Sequence, residues 1–476
     1  MLKIYLHLHM KISNLSITIR TQELRLLWLF SIFALSFSST AQNDSLSFLF
    51  VGDIMQHDGQ IEAAYNPTTK TYDYDDGWKY IKPIVEEYDI RIANLEVTHP
   101  GKPYKGYPQF AAPDELPEAA VNAGFNVILT ANNHSCDGRA KGVIRTLDVL
   151  DELGVKHTGT FRSQAERDTN YPLMIEQNGM KVALLNYTYG TNGLKVAKPL
   201  IVNYIDSVII KKDIARAKEL NADYIICNMH WGTEYKPLPN RYQKTYEQVC
   251  YRAGADMVIG GHPHVVQPIE KKKIKGEDKL TVWSLGNFVS NMQIRYTRGG
   301  VMVGAKIKKK GNKVKLDDID YHLVYVLKRK EGKVKQYYIL PEFNYNAYRN
   351  GFISPAETKK MNEFFADSRK LYGKENKGIV KESLVKDNPM IAERFKHHLS
   401  WHYSIWAPEN GLSMMKNDIL GHYFHRSVDI KGKHHILSGY YNDAKIAKGQ
   451  MNFLRDCGVV HPKLVKVTPE GITPIE

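Results

Sequence analysis

The chain has few cysteines and little apolar sequence of the length that spans a membrane. Its 476 residues include only four cysteines, which are widely spaced and form no C-x-x-C pair, so a disulfide framework is excluded. Hydrophobic residues make up 43% of the chain and charged residues 24%, a balance that excludes a collagen-like or disordered protein. The sequence therefore describes a globular protein, with one large domain and an extension or with two to three average domains.

One apolar run lies near the N-terminus. Leu26–Phe37 follows two arginines and precedes the small residues Ser39 and Ala41. This pattern predicts a secretory signal peptide over residues 1–41, with a long n-region and cleavage after Ala41. The run is shorter than a typical membrane span, and an uncleaved anchor is the alternative. We therefore expect an exported protein, periplasmic or at the cell surface, either free or anchored by this segment.

The charge balance is strongly basic. Lys and Arg number 65 against 51 for Asp and Glu, which gives a formal net charge of +14. Two basic runs, Lys271–Lys275 and Lys306–Lys310, are either solvated surface or an electrostatic patch for a polyanion. They contain no interleaved aromatic residues and the chain is predicted to be exported, so we do not expect nucleic acid as a partner.

Short apolar runs alternate with helical patterns from about residue 46 to residue 310. Seven runs predict strands: Leu46–Ile54, Asp89–Glu96, Val127–His134, Lys181–Tyr189, Tyr224–Gly232, Met257–His264 and Thr281–Val289. Apolar residues at helical spacing predict helices at Ala140–Leu153, Ile209–Asn221 and Arg241–Ala253. This alternation is typical of an α/β domain.

The pattern changes after residue 300. Three further runs predict antiparallel strands joined by Gly-containing turns: Val301–Lys310, Val314–Val326 and Val334–Leu340. Beyond them the chain becomes polar, and Pro355–Leu371 has the start signal of a helix. We therefore predict one α/β domain over residues 45–341, followed by a mainly helical extension over residues 342–476.

Side chains of the kind that bind metals follow five of the predicted strands. They are Asp53, Glu96, Asn133 with His134, His230, and His262 with His264. Ligands bind in open α/β sheets just beyond the carboxyl ends of the strands, so we expect these residues to converge on one cleft. His262 and His264 stand at i and i+2 of a run predicted to be extended, and should point the same way.

The chemistry of this set favours a transition metal. Imidazole nitrogens combined with carboxylate and amide oxygens suit Mn, Fe or Zn better than Ca or Mg alone. Any one of these residues by itself would more simply be a helix cap or a buried core histidine. Five successive strand ends are hard to explain in that way.

The order of these segments resembles the capsule-synthesis CapA family, named for poly-γ-glutamate synthesis, within the calcineurin-like metallophosphoesterase superfamily. The segments that carry the resemblance are VGDIM, ANLE, ANNHSCDG, MHWGTEY, GGHPHVVQ and SLGNF, within residues 46–300. The resemblance implies a metallophosphoesterase-like, four-layer α-β-β-α sandwich, in which two mixed sheets pack face to face with helices outside.

The resemblance also implies a role for each site residue. Six of them would hold one or two divalent ions: Asp53 and His264 the first, Asn133, His230 and His262 the second, and Glu96 both. His134 would be the general acid that donates a proton to the leaving group. Two such ions could polarise a phosphoryl or carbonyl oxygen and generate hydroxide near neutral pH.

The sequence departs from the superfamily pattern at the first ion. Met55 stands where the superfamily has a histidine ligand, and a thioether is a poor ligand for a hard, water-activating metal. His57 is the nearest substitute. Glu96 is one methylene longer than the superfamily's Asp. One ion or two, and hydrolysis or binding alone, therefore stay open.

Some further residues have two interpretations. Asp137 either orients His134 or caps the helix that begins near Arg139. Glu234, Tyr235 and Asn287 either line the cleft or belong to ordinary loops. The histidines of the C-terminal region are expected on the surface rather than in a second metal site: His397, His398, His402, His422, His425, His434 and His435.

The resemblance and the residues together favour an exported, metal-dependent hydrolase or transferase in the biosynthesis of capsule or poly-γ-glutamate. The expected partners are an acidic cell-surface polymer or its precursors and a membrane-bound synthesis complex. Two alternatives remain. One is a general extracytoplasmic metallophosphoesterase, against which Met55 counts, and the other is a non-catalytic, metal-stabilised component of a surface-polymer assembly machine.

Overall fold

The computed structural model describes most of the chain from residue 44 onwards. The described residues are 44–311, 313–331, 334–342, 353–378, 380–383, 403–408, 426–430, 433–441, 448, 451–452, 455, 462–468 and 471–474. The predicted signal peptide lies outside them, as do His397, His398, His402, His422 and His425. Within these ranges, no helix combines the length and the apolar content that crossing a bilayer would need.

The described part of the chain contains eight α-helices. They are α1 (Asp58–Ala64), α2 (Lys82–Val85), α3 (Glu115–Asn122), α4 (Arg139–Glu152), α5 (Gln164–Asn170), α6 (Ser207–Glu219), α7 (Arg241–Ala253) and α8 (Pro355–Glu375). Helix α7 begins and ends where the sequence predicts. The Asn240 side chain accepts from the Gln243 N–H at its start, and Gly254 at φ +118° ends it.

The strands of the same ranges follow in chain order. They are β1 (Ser45–Ile54), β2 (Tyr65–Asn66), β3 (Thr71–Tyr72), β4 (Ile90–Leu95), β5 (Val127–Leu129), β6 (Lys156–Thr158), β7 (Thr160–Phe161), β8 (Leu173–Gln177), β9 (Met180–Thr188), β10 (Ile201–Val202), β11 (Tyr224–His230), β12 (Met257–Gly261), β13 (Ile269–Ile274), β14 (Glu277–Val282), β15 (Asn287–Val289), β16 (Gly299–Lys310), β17 (Lys313–Glu331), β18 (Val334–Pro341), β19 (Lys381–Glu382), β20 (Tyr403–Pro408), β21 (Arg426–Ile430), β22 (Lys433–Tyr441), β23 (Lys463–Thr468) and β24 (Gly471–Pro474).

Two mixed sheets form the body of the fold. The first has the order β18-β17-β16-β1-β4-β5-β6, with β15 paired to β1 and β19 paired to β17. Its strands β1, β4, β5 and β6 are parallel, whereas β16, β17 and β18 are antiparallel. The second has the order β13-β14-β12-β11-β9-β8, parallel in the middle and antiparallel at both edges.

Side chains that alternate along a strand pack into different layers of the fold. In β9, Val182 and Leu184 join the main core, which they share with Phe48 of the first sheet. The intervening Ala183 and the following Leu185 belong to a second core that includes Ile214 of α6. Helices α2 and α3 pack against the main core as well. The fold is therefore α/β, with the two mixed sheets facing each other and helices outside, as predicted.

Several predicted strands are shorter in the structure. Strand β5 ends at Leu129 and β12 ends at Gly261. The run Thr281–Val289 is divided between β14 and β15, and Gly286 lies between them at φ +70°. At each of these points the chain leaves the sheet and forms a turn, so the ladder of hydrogen bonds between strands ends there.

The extended-backbone argument for His262 and His264 was wrong. His262 has φ +97° and His264 has φ +57°, so both residues adopt left-handed conformations in a turn after β12. Their side chains still converge on the same cleft. The turn brings them there, and not the alternation of side chains along a strand.

The C-terminal region is less helical than predicted. Helix α8 confirms the predicted helix and continues to Glu375. The strands β20–β24 then form a five-stranded antiparallel sheet in the order β21-β22-β20-β23-β24, where the prediction had further helices. The run Lys463–Thr468 has three apolar residues that do not alternate strictly with the polar ones, so its strand signal is weak.

The chain after α8 pairs with both sheets. The Asn376 side chain accepts from the Ile269 N–H, and the Lys377 backbone exchanges hydrogen bonds with Ile269 and Lys271 on the edge strand β13. A few residues later, β19 pairs in parallel with β17 of the first sheet. This short stretch therefore connects the two sheets by backbone hydrogen bonds.

The two basic runs lie away from the carboxyl ends of the parallel strands. Lys308 pairs with Ser45, at the start of β1, whereas Asp53 stands near the other end of that strand. In the other run, Lys271 and Lys273 lie within 4.0 Å of Asp278. This run is thus partly neutralised by its own hairpin.

Candidate metal centre

The carboxyl ends of strands from both sheets meet at one place. Asp53 lies near the end of β1 and Glu96 follows β4, both in the first sheet. His230 is the last residue of β11, and His262 and His264 follow β12, in the second sheet. Each of these side chains is buried. Residues that are far apart in sequence are therefore brought together at the junction of the two sheets, as expected for ligands of an α/β protein.

Two groups of candidate ligand atoms share one carboxylate. Asp53, Glu96 and His264 form the first group, and Glu96, His230 and His262 form the second. Within each group the atoms lie within 4.8 Å of one another. Asn133 adjoins the second group, because its Oδ1 lies 2.7 Å from His230 Nε2. The division corresponds to the one that the resemblance implies, and the binding of ions itself stays a prediction.

The surroundings of the Glu96 carboxylate show whether these residues fit a cation. It is fully buried, and neither oxygen has a hydrogen-bond partner among the described residues. His230 Nε2 and His264 Nε2 lie 3.4 and 4.0 Å from Glu96 Oε1, too far for good hydrogen bonds. His262 Nδ1 is likewise buried and unpartnered within the described part. A buried carboxylate surrounded by imidazoles in this way fits a divalent transition metal.

Asp53 is held in place by hydrogen-bond donors. Its Oδ1 accepts from Asn94 Nδ2 at 2.8 Å, and its Oδ2 accepts from the backbone N–H of His262 at 3.2 Å. His264 Nδ1 lies 3.4 Å from the same Oδ2. Burial opposes ionisation, but the hydrogen bond with His264 and the positive potential of His230 and His264 outweigh it and lower the pKa of Asp53. The carboxylate is therefore ionised at neutral pH.

His264 is oriented by a partner on another strand. Its Nδ1 lies 3.1 Å from Asn287 Oδ1, and the Asn287 amide donates to the Thr297 carbonyl at 2.9 Å. Asn287 reaches this position because β15 pairs with β1 in a register that sets it opposite Asp53. Burial lowers the pKa of His264, but the Glu96 and Asp53 carboxylates raise it to about 9. Asn287 therefore lines the site and does not belong to an ordinary loop.

His134 lies beside the two groups rather than in them. Its Nδ1 is 2.7 Å from Asp137 Oδ2, and the Phe110 N–H donates to that same oxygen at 2.7 Å. The Phe110 ring packs against the imidazole with its centroid at 4.5 Å. Helix α4 begins at Arg139 with no side-chain cap. Asp137 therefore contacts His134 and does not cap the helix.

Neither Met55 nor His57 belongs to the two groups of ligand atoms. The Met55 side chain is buried in the main apolar core. His57 Nδ1 faces Gln60 Oε1 at 3.2 Å and the Asn291 N–H at 3.3 Å, at the start of α1. Burial lowers the pKa of His57 to about 4. An apolar side chain thus occupies the sequence position of the superfamily's histidine, and His57 does not replace it.

Two residues near the site were missed in the sequence. Asn94 donates to Asp53 and lies 3.4 Å from His230 Nδ1. It stands two positions before Glu96, and the period of the strand was a usable signal for it. Tyr189, just after β9, packs its ring 4.5 Å from that of His262. Nothing in the sequence separates Tyr189 from the other tyrosines, which number 29 in all.

Gly261 allows the ligands to approach the backbone. A Cβ atom at this position would lie 3.0 Å from Asp53 Oδ1 and 3.6 Å from His230 Nδ1. The strand end therefore has little room for a larger residue.

The family model and two relatives that match this chain in sequence are described as capsule or PGA synthesis proteins. Residues 47–292 match the family model described as bacterial capsule synthesis protein PGA_cap. The PGA biosynthesis protein CapA of Bacillus subtilis (strain 168) is 29% identical over 314 residues, which cover 64% of this chain and 79% of that protein. The capsule biosynthesis protein CapA of Bacillus anthracis is 29% identical over 289 residues, which cover 57% of this chain and 66% of that protein.

Solved structures show a weaker similarity. The calcineurin-like phosphoesterase YfkN from Bacillus subtilis is 13% identical, with a TM-score of 0.33, over 69% of this chain and 97% of that chain. A similarity of this size carries no argument about function.

Proposed function

This chain belongs to the bacterial capsule synthesis protein PGA_cap family, and on that premise we propose that it is a metal-dependent hydrolase or transferase acting on a cell-surface polymer or its precursors. The observation that carries the proposal is the pair of ligand groups that share the buried, unpartnered carboxylate of Glu96. The printed names of the relatives, PGA biosynthesis protein and capsule biosynthesis protein, support the polymer class.

The residues that would hold the metal are those of the two groups together with Asn133. A divalent ion such as Mn, Fe or Zn would supply Lewis acidity and an activated water at this position. The protein's own contribution is the fixed arrangement of the ligands. Asn94 and Asn287 orient Asp53 and His264, and the buried surroundings strengthen every charge interaction at the site.

His134 is the proposed proton donor. Its Nδ1 is committed to Asp137 at 2.7 Å, which leaves Nε2 as the nitrogen that exchanges a proton with a bound substrate. Phe110 fixes the carboxylate through its N–H and covers the imidazole with its ring. His134, Asp137 and Phe110 therefore act as one positioned unit.

The experiment that tests the proposal measures both the metal content of the protein and its turnover of substrates. The protein is purified without a His tag, its metal content is measured by elemental analysis, and the loaded protein is screened against phosphoesters and γ-glutamyl amides. One or two equivalents of a transition metal, with turnover that is lost in His134→Ala, would support the enzyme. No metal after reconstitution with Mn, Fe and Zn would contradict it.

A second function is favoured by a specific observation. Because Met55 is buried in the apolar core, the first group has only three candidate ligand atoms among the residues that the structure describes. This favours a metal-stabilised component of a polymer-assembly machine that binds without turnover. It would show metal content and polymer binding, and no hydrolysis of any substrate in the same screen.

Location and partners belong to the same proposal. The apolar run Leu26–Phe37 supports export, with the protein periplasmic or at the cell surface, free or anchored by that run. An acidic surface polymer or its precursors, and a membrane-bound synthesis complex, are the proposed partners. Fractionation of cells and N-terminal sequencing of the recovered protein would decide between cleavage and anchoring.

A further inference from the structure

Three partly exposed tyrosines stand close to the candidate metal centre. Tyr107 is 72% exposed, and Tyr189 and Tyr235 are each 40% exposed. They come from three separate loops, before α3, after β9 and after β11. A tyrosine combines a rigid ring with a polar end, so partly exposed tyrosines beside a polar site offer a contact surface to a ligand.

Two of the tyrosines lie against candidate metal ligands. The Tyr189 ring centroid is 4.5 Å from that of His262, and the ring lies nearly parallel to His230, at 9° and 6.5 Å. The Tyr235 ring centroid is 6.3 Å from that of His264. These two phenols therefore flank the ligands of both groups.

The third tyrosine approaches the proposed proton donor. The Tyr107 ring centroid is 6.3 Å from that of Phe110, whose own ring packs on His134 at 4.5 Å. Tyr107 also contributes to the electrostatic environment of the Tyr235 phenol. Tyr107 therefore lies near Tyr235 and near the ring that packs on His134.

The backbone at Tyr235 indicates that its position is fixed by the fold. Its φ of +63° is in the left-handed region, which a bulky residue seldom adopts. The Tyr235 N–H donates to the Pro263 carbonyl at 2.8 Å, between His262 and His264. The loop that carries this tyrosine is thus tied to the turn that carries two of the ligands.

An exposed carboxylate lies beside two of the candidate ligands. The exposed side chain of Glu234 belongs to a third group of candidate ligand atoms, with His262 and His264. A chain with a carboxylate on every unit would be repelled by Glu234.

We propose that Tyr107, Tyr189 and Tyr235 form a subsite for an uncharged ring that is joined directly to the anionic group held at the metal ligands. The substrate class is a phosphoester of a neutral ring compound, such as a sugar phosphate, rather than a free polyglutamate chain. This inference rests on the proposed metal-dependent function and narrows its substrate. The aromatic faces bind the ring, and the cationic centre binds the phosphoryl oxygens.

A pair of phosphonates isolates the contribution of the ring. Phenylphosphonate and methylphosphonate present the same anionic group to the metal-loaded, full-length protein, and only the first has a ring. Calorimetry should give about fivefold tighter binding of phenylphosphonate, since an aromatic contact strengthens binding several-fold. Tyr189→Ala and Tyr235→Ala should reduce this ratio towards one, and Tyr189→Phe should keep it.

A matched tyrosine controls for a general effect of the substitution. Tyr242 on α7 is 37% exposed and packs on Tyr246, with ring centroids 4.7 Å apart. Tyr242→Ala should leave the ratio unchanged. Thermal unfolding checks that each variant is folded. Because Tyr107 is the most exposed of the three, Tyr107→Ala remains an informative variant if the other two prove unstable.

The outcomes separate this inference from the proposed function. Equal binding of both phosphonates by the wild-type protein would overturn the subsite and leave the metal centre standing. Failure of the loaded protein to bind either phosphonate would count against the metal-dependent function itself. Competition by glucose 1-phosphate or by a nucleoside monophosphate would support the subsite and identify the ring. Tighter binding of an oligo-γ-glutamate through the same tyrosines would overturn it.

Discussion

The backbone N–H of His262 donates to Oδ2 of Asp53 across 3.2 Å, although 209 positions separate the two residues in the sequence. The left-handed turn at His262 aims its N–H at a carboxylate of the first sheet, while its ring packs against His230 of the second, with centroids 4.9 Å apart. One residue thus joins the two sheets at the site by its backbone and by its side chain. The turn after β12 closes the candidate metal centre.

Replacement of His262 should weaken metal binding. His262→Ala removes a nitrogen from the group formed with Glu96 and His230, and we expect at least about tenfold weaker binding of Mn or Zn. Elemental analysis and calorimetry measure it. His157→Ala is the control, because that ring pairs with Asp151 away from the site. Unchanged occupancy in His262→Ala would remove His262 from the ligand set.

Removal of the metal should expose the cost of burying Glu96. A chelator would leave its two oxygens buried and unpartnered, so the midpoint of thermal unfolding should fall in the wild-type protein. In metal-free protein, Glu96→Gln should be more stable than wild type by about 1–3 kcal/mol, since the charge is gone. If the chelator lowered both midpoints equally, Glu96 would not be the group that the metal stabilises.

The proton donor can be separated from the ligands. His134→Ala should reduce turnover by roughly 100- to 10,000-fold and leave the metal content unchanged, because His134 belongs to neither ligand group. Asp137→Asn should give a smaller loss, since the amide oxygen can still accept from Nδ1. Turnover is measured on the substrate found in the screen. Full activity in His134→Ala would disprove the assignment.

The burial of Lys328 predicts that the free energy of unfolding of the protein depends on pH. It lies on β17 and donates to the Met292 carbonyl at 2.9 Å, and burial lowers its pKa from 10.5 to about 7. Between these two values the unfolded chain binds a proton that the folded protein lacks, so this residue's contribution to stability rises with pH. Below pH 7 its full destabilising effect is present.

Lys328→Met removes that titration. The pKa shift corresponds to a gain in the stability of the variant of up to about 4 kcal/mol at pH 7, from which the lost hydrogen bond to Met292 subtracts about 1 kcal/mol. The gain should shrink as the pH approaches 10. Urea unfolding at pH 6, 7, 8.5 and 10 measures the difference, in which the titrations of other residues cancel. A difference that stays constant over this range would contradict the prediction.

The close approach at Gly261 can be tested with a matched glycine. In Gly261→Ala, the new methyl group would lie 3.0 Å from Asp53 Oδ1 and should displace a ligand, so weaker metal binding is expected. In Gly190→Ala, the methyl group would meet no atom of the described residues within 4 Å. Calorimetry on both variants should show a loss only for position 261. Equal affinities would mean that the site adjusts to the extra atom.

Much of the site could be predicted because its residues follow strands. Asp53, Glu96 and His230 stand at strand ends, and the convergence of parallel strands brings them together whatever the loops do. Asn287 was ambiguous because its role depends on the register between β15 and β1, and the pairing shifts next to Asp53. Tyr189 was missed because its position depends on the path of a loop.

The fold was predictable to a similar degree. The central strands of both sheets have clear apolar runs, and α7 has a capping signal at each end, so these elements were found. The sheet strands β6, β8 and β13 were not predicted. The strands after residue 400 were not, because short runs such as Lys463–Thr468 carry few apolar residues and their pairing depends on partners far along the chain.

The family match ends at residue 292, but the first sheet does not. Strand β16 pairs with β1 over six positions, from Ser45 to Phe50, and β17 and β18 extend the sheet beyond it. The segment that sequence comparison recognises is therefore shorter than the unit that folds. A protein shortened to the recognised segment would leave β1 as an unprotected edge with a row of unpaired backbone groups, and we expect such a fragment to aggregate.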